Sequence, residues 1–309
     1  MPAGMSRFFA LKLLRTLLTL FGVVTLTFFL SRLSGDPVAM MLPQTATPED
    51  YARIRASLGL DQPIPVQYAL YVGDLLQGNF GRSIVFQRPA LEVVTERLPA
   101  TLALGVPALV LSVALGVPFG IWAAQRRGGL FDRFIMTTTL AGQSLPPFFI
   151  GILLILFFGV TLRLLPTFGS DSWRHFILPT LTLTIYPLAI IVRLTRSSML
   201  EVIHQDYIRT ARAKGLPPRA VTLNHALRNA LIPVVTVVGL QVAAVLSGAA
   251  IVETVFAWSG IGSLAVQSIG GRDYPVIQTI VLLSAAAFGL VNLAVDVLYG
   301  LLDPRIQRR

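Results

Sequence analysis

Few residues in this 309-residue chain are of types that make or break bonds. There is no cysteine, which removes disulfides, thiolate metal sites, cysteine nucleophiles and a lipid anchor on cysteine. The three histidines, His175, His204 and His225, show no ligand-like spacing and fall in predicted loops or helix ends, so no metal site is expected. A phosphate-cradling loop needs Gly-x-x-x-x-Gly-Lys-Ser/Thr, but the only lysines are Lys12, before Leu13, and Lys214, before Gly215. With no Ser-His-Asp or His-Glu-x-x-His pattern either, no catalytic residue is expected. What remains is the chemistry of contact. Its densest concentration is a polar stretch between two apolar blocks, Asp206-Tyr207-Ile208-Arg209-Thr210-Ala211-Arg212-Ala213-Lys214-Gly215, with Arg219 and Arg228 beyond it. Asp206 opens a short helical run with Ile208, Ala211 and Ala213 on an apolar side. Gly215 supplies a left-handed residue to close it, and Pro217-Pro218 forbid its continuation. A basic loop that only orients a membrane protein needs charge but no shape; a helix with its own stop signal argues for a contact of defined form.

Three further residues stand out. Asp296 is an acid embedded in the last apolar run, on one helical face with Asn292, Tyr299 and Asp303. It is expected to pair with a base of the cytoplasmic loops, Arg193 or Arg196, a proton-coupling role being the lesser reading. Glu253 closes the fifth apolar run and begins Glu253-Thr254-Val255-Phe256-Ala257-Trp258-Ser259-Gly260-Ile261-Gly262. Its glycines suit an interfacial or re-entrant element, in which Trp258 serves as an interfacial anchor.

The elements that must position these residues are membrane helices. The chain is 54% hydrophobic and 13% charged, with a mean hydropathy of +0.71, which excludes an ordinary soluble domain. Its net charge of +10 would suggest nucleic acid in a soluble protein, but the bases flank apolar runs as the positive-inside rule expects, and nucleic acid is rejected as a partner. Residues 1–33 form a first span, with its N-terminus cytoplasmic and no small-x-small cleavage site after it. Residues 34–97 form one long extracytoplasmic loop, in which Thr47 caps a helix starting at Pro48 and a second helix runs through Tyr68 and Leu75 to a turn at Gly78. Five more apolar runs follow: 101–124, 134–162 (interrupted by Ser144-Leu145-Pro146-Pro147), 177–194, 231–252 and 276–302. Each reaches the ~20 residues that cross a hydrocarbon core. The fold expected is an all-α polytopic membrane protein of six transmembrane helices, with both termini cytoplasmic. Prolines inside the runs, with Gln143, Ser144, Thr180, Thr182, Thr184, Asn229, Gln241, Ser247 and Ser284, permit a polar passage or, equally, helix-to-helix bonding.

The stretch Arg209-Thr210-Ala211-Arg212-Ala213-Lys214-Gly215, followed by His225-Ala226-Leu227-Arg228-Asn229-Ala230-Leu231-Ile232-Pro233, resembles the cytoplasmic loop of bacterial ATP-binding-cassette (ABC) importer permeases. The nearest likeness is to the first, B-type permease of the dipeptide/oligopeptide/nickel branch. Of the wider family's Glu-Ala-Ala-x-x-x-Gly pattern only Ala211 and Gly215 are kept. A second region agrees: Gly35-Asp36-Pro37, then Gly59-Leu60-Asp61-Gln62-Pro63-Ile64-Pro65-Val66-Gln67-Tyr68, then Gly78-Asn79-Phe80-Gly81-Arg82-Ser83 is similar to the same permeases, as are the segment from Glu253 to Gly262 and Asp303-Pro304-Arg305.

The resemblance implies a type-1 ABC importer permease core over residues 98–303, a coupling loop at 195–230 and a cytoplasmic tail at 304–309. It implies that Asp206 to Gly215 form a coupling helix seated in a groove of an ATPase, with Tyr207, Ile208, Ala211 and Ala213 packing into the groove and Arg209, Arg212 and Lys214 at its rim. Glu253 and Trp258 would fall near an outer gate. The partners implied are a homologous second (C-type) permease, two cytoplasmic ABC ATPase subunits, an extracytoplasmic solute-binding protein and the lipid bilayer of a bacterial inner membrane. No cofactor is expected on this chain, ATP and Mg belonging to the ATPases. The cargo implied is peptide, with nickel chelates, glutathione or sugars as alternatives within the class. The competing class is an ion-gradient-driven secondary transporter, which predicts embedded acids in matching repeats; one embedded Asp and no visible repeat make it the weaker reading.

Overall fold

The computed structural model describes residues 3–33, 38, 47–57 and 59–302, without the side chains of residues 3–10, 57, 243–244, 247–248 and 296–302. Among the described residues there is no strand, only an isolated bridge between Arg82 and Pro89. The helices are α1 (Ala3–Leu33), α2 (Pro48–Ser57), α3 (Ile64–Leu76), α4 (Ala90–Gln125), α5 (Leu130–Ser144), α6 (Pro147–Leu154), α7 (Ile177–Ile203), α8 (Asp206–Ala213), α9 (Arg228–Val255), α10 (Ile261–Gly270) and α11 (Tyr274–Leu302). A π-helical run, Ile155–Thr161, prolongs α6; a short turn at Pro218–Ala220 and a second π-helical run, Val221–Leu227, lead into α9.

Five stretches among the described residues are long and apolar enough to cross a membrane: Leu11–Leu33, Ala90–Gln125, Trp173–Ile203, Pro218–Val242 and Tyr274–Val295. The expected span from Phe134 to Leu162 takes a different form. It is a broken pair, Leu130–Ser144 and Pro147–Thr161, bent by 107°, and it makes a sixth span only if the two halves count as one. The cause is local. A residue before proline is pushed out of the α region; Leu145 and Pro146 are accordingly extended, with ψ of 134° and 142°, and Pro147 restarts the helix. The fold is the all-α membrane architecture expected.

The chain divides into two compact units, Met1–Pro99 with Leu264–Gly289, and Ala100–Ser263 with Leu290–Arg309. In the first, Thr47 and Asp50 cap α2 reciprocally: the Thr47 hydroxyl accepts from the Asp50 amide at 3.2 Å, and the Asp50 carboxylate accepts from the Thr47 amide at 3.2 Å and its hydroxyl at 2.8 Å. The Asp273 carboxylate is fully buried and accepts from the amides of Ile84 and Val85, at 3.1 and 3.2 Å, and from the Ser83 hydroxyl. In the second unit, Leu104, Ala108, Leu178, Leu183, Ala249, Val252 and Phe256 form one buried cluster joining α4, α7 and α9.

Candidate functional site

The polar stretch folds as a separate two-turn helix, α8, with the bounds its sequence implies. Its C-terminus closes with two bonds, Gly215 N–H to Arg212 O at 2.9 Å and Leu216 N–H to Ala211 O at 3.4 Å, the Schellman pattern. Gly215 has φ +76°, while a Cβ there would meet nothing within 4 Å. Glycine is therefore required for its backbone and not for space.

The facing of α8 corrects the expectation that Ile208 and Ala211 pack into a partner. Ile208 is 0% exposed and Ala211 6%. Both lie in a cluster with Ala124 at the end of α4, Met199 near the end of α7, Val221 and Ala226 of the π-helical run, and Ala230 of α9. An apolar stripe on a polar helix must be covered, and here the chain covers it with its own helices; burying Ile208 alone stabilises the seat by about 1.5–3 kcal/mol. Tyr207 is exposed, and its hydroxyl accepts from Asn229 Nδ2 at 2.8 Å. Asp206, Arg209, Thr210, Arg212, Ala213, Lys214 and Gly215 are all exposed. Asp206 and Arg209 lie 3.7 Å apart, a solvent-exposed pair worth little. The outward surface of α8 is thus polar and mostly cationic, and the helix is fastened at its base to three membrane helices.

Arg196 pairs with Asp132. Its Nε and a terminal nitrogen donate to the two Asp132 oxygens at 2.6 and 2.8 Å, and the Gly128 amide adds a third bond at 2.9 Å. Asp132, which sequence reasoning missed, is 3% exposed; the signal available was an acid opening an apolar run. Asp296 lies in α11 with its side chain outside the described residues, and Asp303 falls outside the described residues altogether, so the expected pairing of Asp296 with Arg193 or Arg196 lies outside them too.

Glu253 is fully buried and forms a node. Its carboxylate accepts from Thr101 Oγ1 at 2.6 Å, from the Ser263 amide at 2.9 Å and from the Gly262 amide, while Thr101 Oγ1 accepts from the Ile261 amide at 2.8 Å. These amides open α10, so an acid satisfies the orphan donors of a helix N-terminus. Trp258 is no interfacial anchor: it is 2% exposed, donates from Nε1 to Ala100 O at 2.9 Å and stacks edge-on against Phe176.

A cavity of about 350 Å³ lies at the break between α5 and α6, lined by Gln143, Ser144, Pro146, Thr182, Tyr186 and Pro187 among others. Pro187, lacking an N–H, leaves the Leu183 carbonyl on this wall without its helical donor. Of the other polar residues considered for a passage, Thr184 bonds back to Thr180 O at 2.7 Å and Asn229 is held by Tyr207. Among the described residues no group of His, Cys, Asp and Glu is arranged to hold a metal.

The exposed polar helix is thus seated on a bundle of membrane helices that contains one broken span. Residues 116–308 match the family described as "Binding-protein-dependent transport system inner membrane component", and residues 5–105 match its N-terminal companion. The chain belongs to this family of membrane permease subunits. Among similar proteins are the "Probable peptide ABC transporter permease protein y4tP" of Sinorhizobium fredii, 44% identical over 96% of this chain and 97% of that one; the "Di/tripeptide transport system permease protein DppB" of Pseudomonas aeruginosa, 44% identical over 99% and 100%; and the "Glutathione transport system permease protein GsiC" of Escherichia coli, 45% identical over 96% and 97%. In fold the chain is similar to the inward-facing MetNI methionine ABC transporter, with a TM-score of 0.59 and 20% identity over 68% of this chain and 96% of that one.

Proposed function

We propose that this permease carries peptides inward across a bacterial cytoplasmic membrane, driven by ATP hydrolysis on separate subunits. The observation that carries the reading is α8: a capped helix whose polar face is free and whose apolar face is fixed to α4, α7 and α9. Such an element transmits a push without bending, which is what a docking surface for a cytoplasmic ATPase requires. Arg209, Arg212 and Lys214, with Asp206, Tyr207, Thr210 and Ala213, form that surface, and ATP and Mg stay on the ATPase because this chain lacks a phosphate-binding lysine motif. By this reading both termini are cytoplasmic and the complex holds a second permease, two ATPases and an extracytoplasmic binding protein. Relatives named for peptides and glutathione support the cargo. The cavity at the α5–α6 break offers the amide of Gln143 and the hydroxyl of Tyr186, partners suited to a peptide backbone, whereas the hydroxyls of Ser144 and Thr182 donate to carbonyls of their own helices. Glu253 holds the start of α10 at the outer gate.

The test is uptake of a labelled dipeptide into proteoliposomes that hold the full complex. Uptake is expected only with ATP on the ATPase side and binding protein on the other. Uptake driven by an ion gradient without ATP would overturn the reading.

A further inference from the structure

The Asp132–Arg196 pair has no part in the docking surface or the cavity wall proposed above, and its surroundings give it a task. Three levels of contact join α5 to α7 in antiparallel register. At the first, a Cβ on Gly142 would come within 2.8 Å of Ile185 Cγ2, so the Ile185 side chain packs directly on the glycine. At the second, Ile135 and Val192 share a buried cluster, with Leu188 and Met136 packed against it. At the third, Asp132 and Arg196 meet as a bidentate pair, with the Gly128 amide completing the carboxylate's shell. The apolar levels resist separation but permit sliding, because dispersion is non-directional. The bidentate ion pair has a fixed fork geometry and does not. It is the one directional tie among the three.

The position of each end then matters. Met199, one turn beyond Arg196 on α7, is buried in the cluster that seats α8. At the far ends of the same two helices, Gln143 and Ser144 of α5 and Thr182, Tyr186 and Pro187 of α7 line the cavity at the break. We infer that Asp132 and Arg196 are a positioning pair: they lock α5 to the part of α7 that moves with α8, so that the cavity wall at Ser144 is displaced when α8 is pushed. The inference rests on the ATP-driven reading above and extends it from the docking surface to the cavity. Asn at Asp132 keeps the shape and loses the charge; Lys at Arg196 keeps the charge and loses the fork.

The chain has no cysteine of its own, so Ser144→Cys places a single thiol on the cavity wall. Its reaction with a water-soluble maleimide is followed in the assembled complex, with and without ATP and vanadate. In an otherwise wild-type complex the labelling rate is expected to change with nucleotide; if it does not, a push on α8 never reaches the cavity, the ATP-driven reading fails and the pair has nothing to transmit. With Asp132→Asn or Arg196→Lys added, the complex is expected to assemble and hydrolyse ATP while the nucleotide-dependent change in labelling and the peptide carried per ATP both fall by about tenfold, the loss of one charge-assisted bond. The exchanged pair, Asp132→Arg with Arg196→Asp, is expected to restore part of both. Labelling that still responds fully to nucleotide in Asp132→Asn overturns the inference while leaving the ATP-driven reading intact. Failure of every variant to assemble overturns it as well, since the pair is then a requirement for folding.

Discussion

Gly215 and Glu253 show how much single residues settle here. At Gly215 the backbone holds φ +76° in open space, so replacement by alanine brings only the left-handed penalty, about 1 kcal/mol. Hydrogen exchange over residues 206–216 is expected to speed by about fivefold in Gly215→Ala, with the rest of the chain unchanged; unchanged exchange would mean that the cap does not hold α8. At Glu253 the prediction is larger. Glu253→Ala strands the Thr101 hydroxyl and the amides of Gly262 and Ser263 in a buried place, at about 1–3 kcal/mol for each donor left unmade. Thermal melting in detergent is expected to fall clearly in Glu253→Ala and less in Glu253→Gln, which keeps the shape and one acceptor. Equal melting of all three proteins would show that the node contributes nothing. The importance of Glu253 was legible from its place at the end of an apolar run, but its partners were not, because Thr101 is 152 residues away and leaves no local trace.

The bounds of α8 could be read from sequence because they are written locally, in an opening Asp206, a left-handed Gly215 and Pro217 behind it. Its orientation could not. An apolar stripe says that something covers Ile208 and Ala211, and the cover proved to be the chain's own α4, α7 and α9. Two substitutions separate the cases. Ala211→Glu forces a charge into that cluster and is expected to lower stability by about 3 kcal/mol or more, whereas Arg212→Glu on the exposed face should leave melting within about 0.5 kcal/mol of wild type. The break in the third apolar run was likewise visible in Ser144-Leu145-Pro146-Pro147, though not its 107° bend. The α2 helix carries the pH prediction. Hydrogen bonds from Thr47, then the charge of Arg53, hold the Asp50 carboxyl below its ordinary value of 3.8. A depressed folded pKa stabilises the cap above the unfolded value and loses that contribution as pH falls through the folded one. Protection of the α2 amides should therefore persist down to pH 3.8 and decline below it, and Asp50→Asn should remove that step.

For the whole molecule, the proposed function makes α8 a rigid handle, its polar face offered to an ATPase and its apolar face fixed to α4, α7 and α9. Family membership was legible because the loop from Arg209 to Pro233 and the stretch from Gly59 to Tyr68 each carry a specific pattern, whereas the tie between Asp132 and Arg196 joins residues 64 apart and emerges only in three dimensions. Cargo is less firmly written, since the cavity wall offers an amide and a hydroxyl that many solutes satisfy. The most direct measurement is co-purification of the ATPase subunits with tagged permease, wild type against the double variant Arg209→Glu/Arg212→Glu, in the presence of the second permease. The account predicts that wild type retains the ATPases and that the double variant, inserted and melting like wild type, loses them by at least about tenfold, the loss of two rim contacts to charged groups. Full retention by a well-folded double variant would contradict the placement of the docking surface on α8.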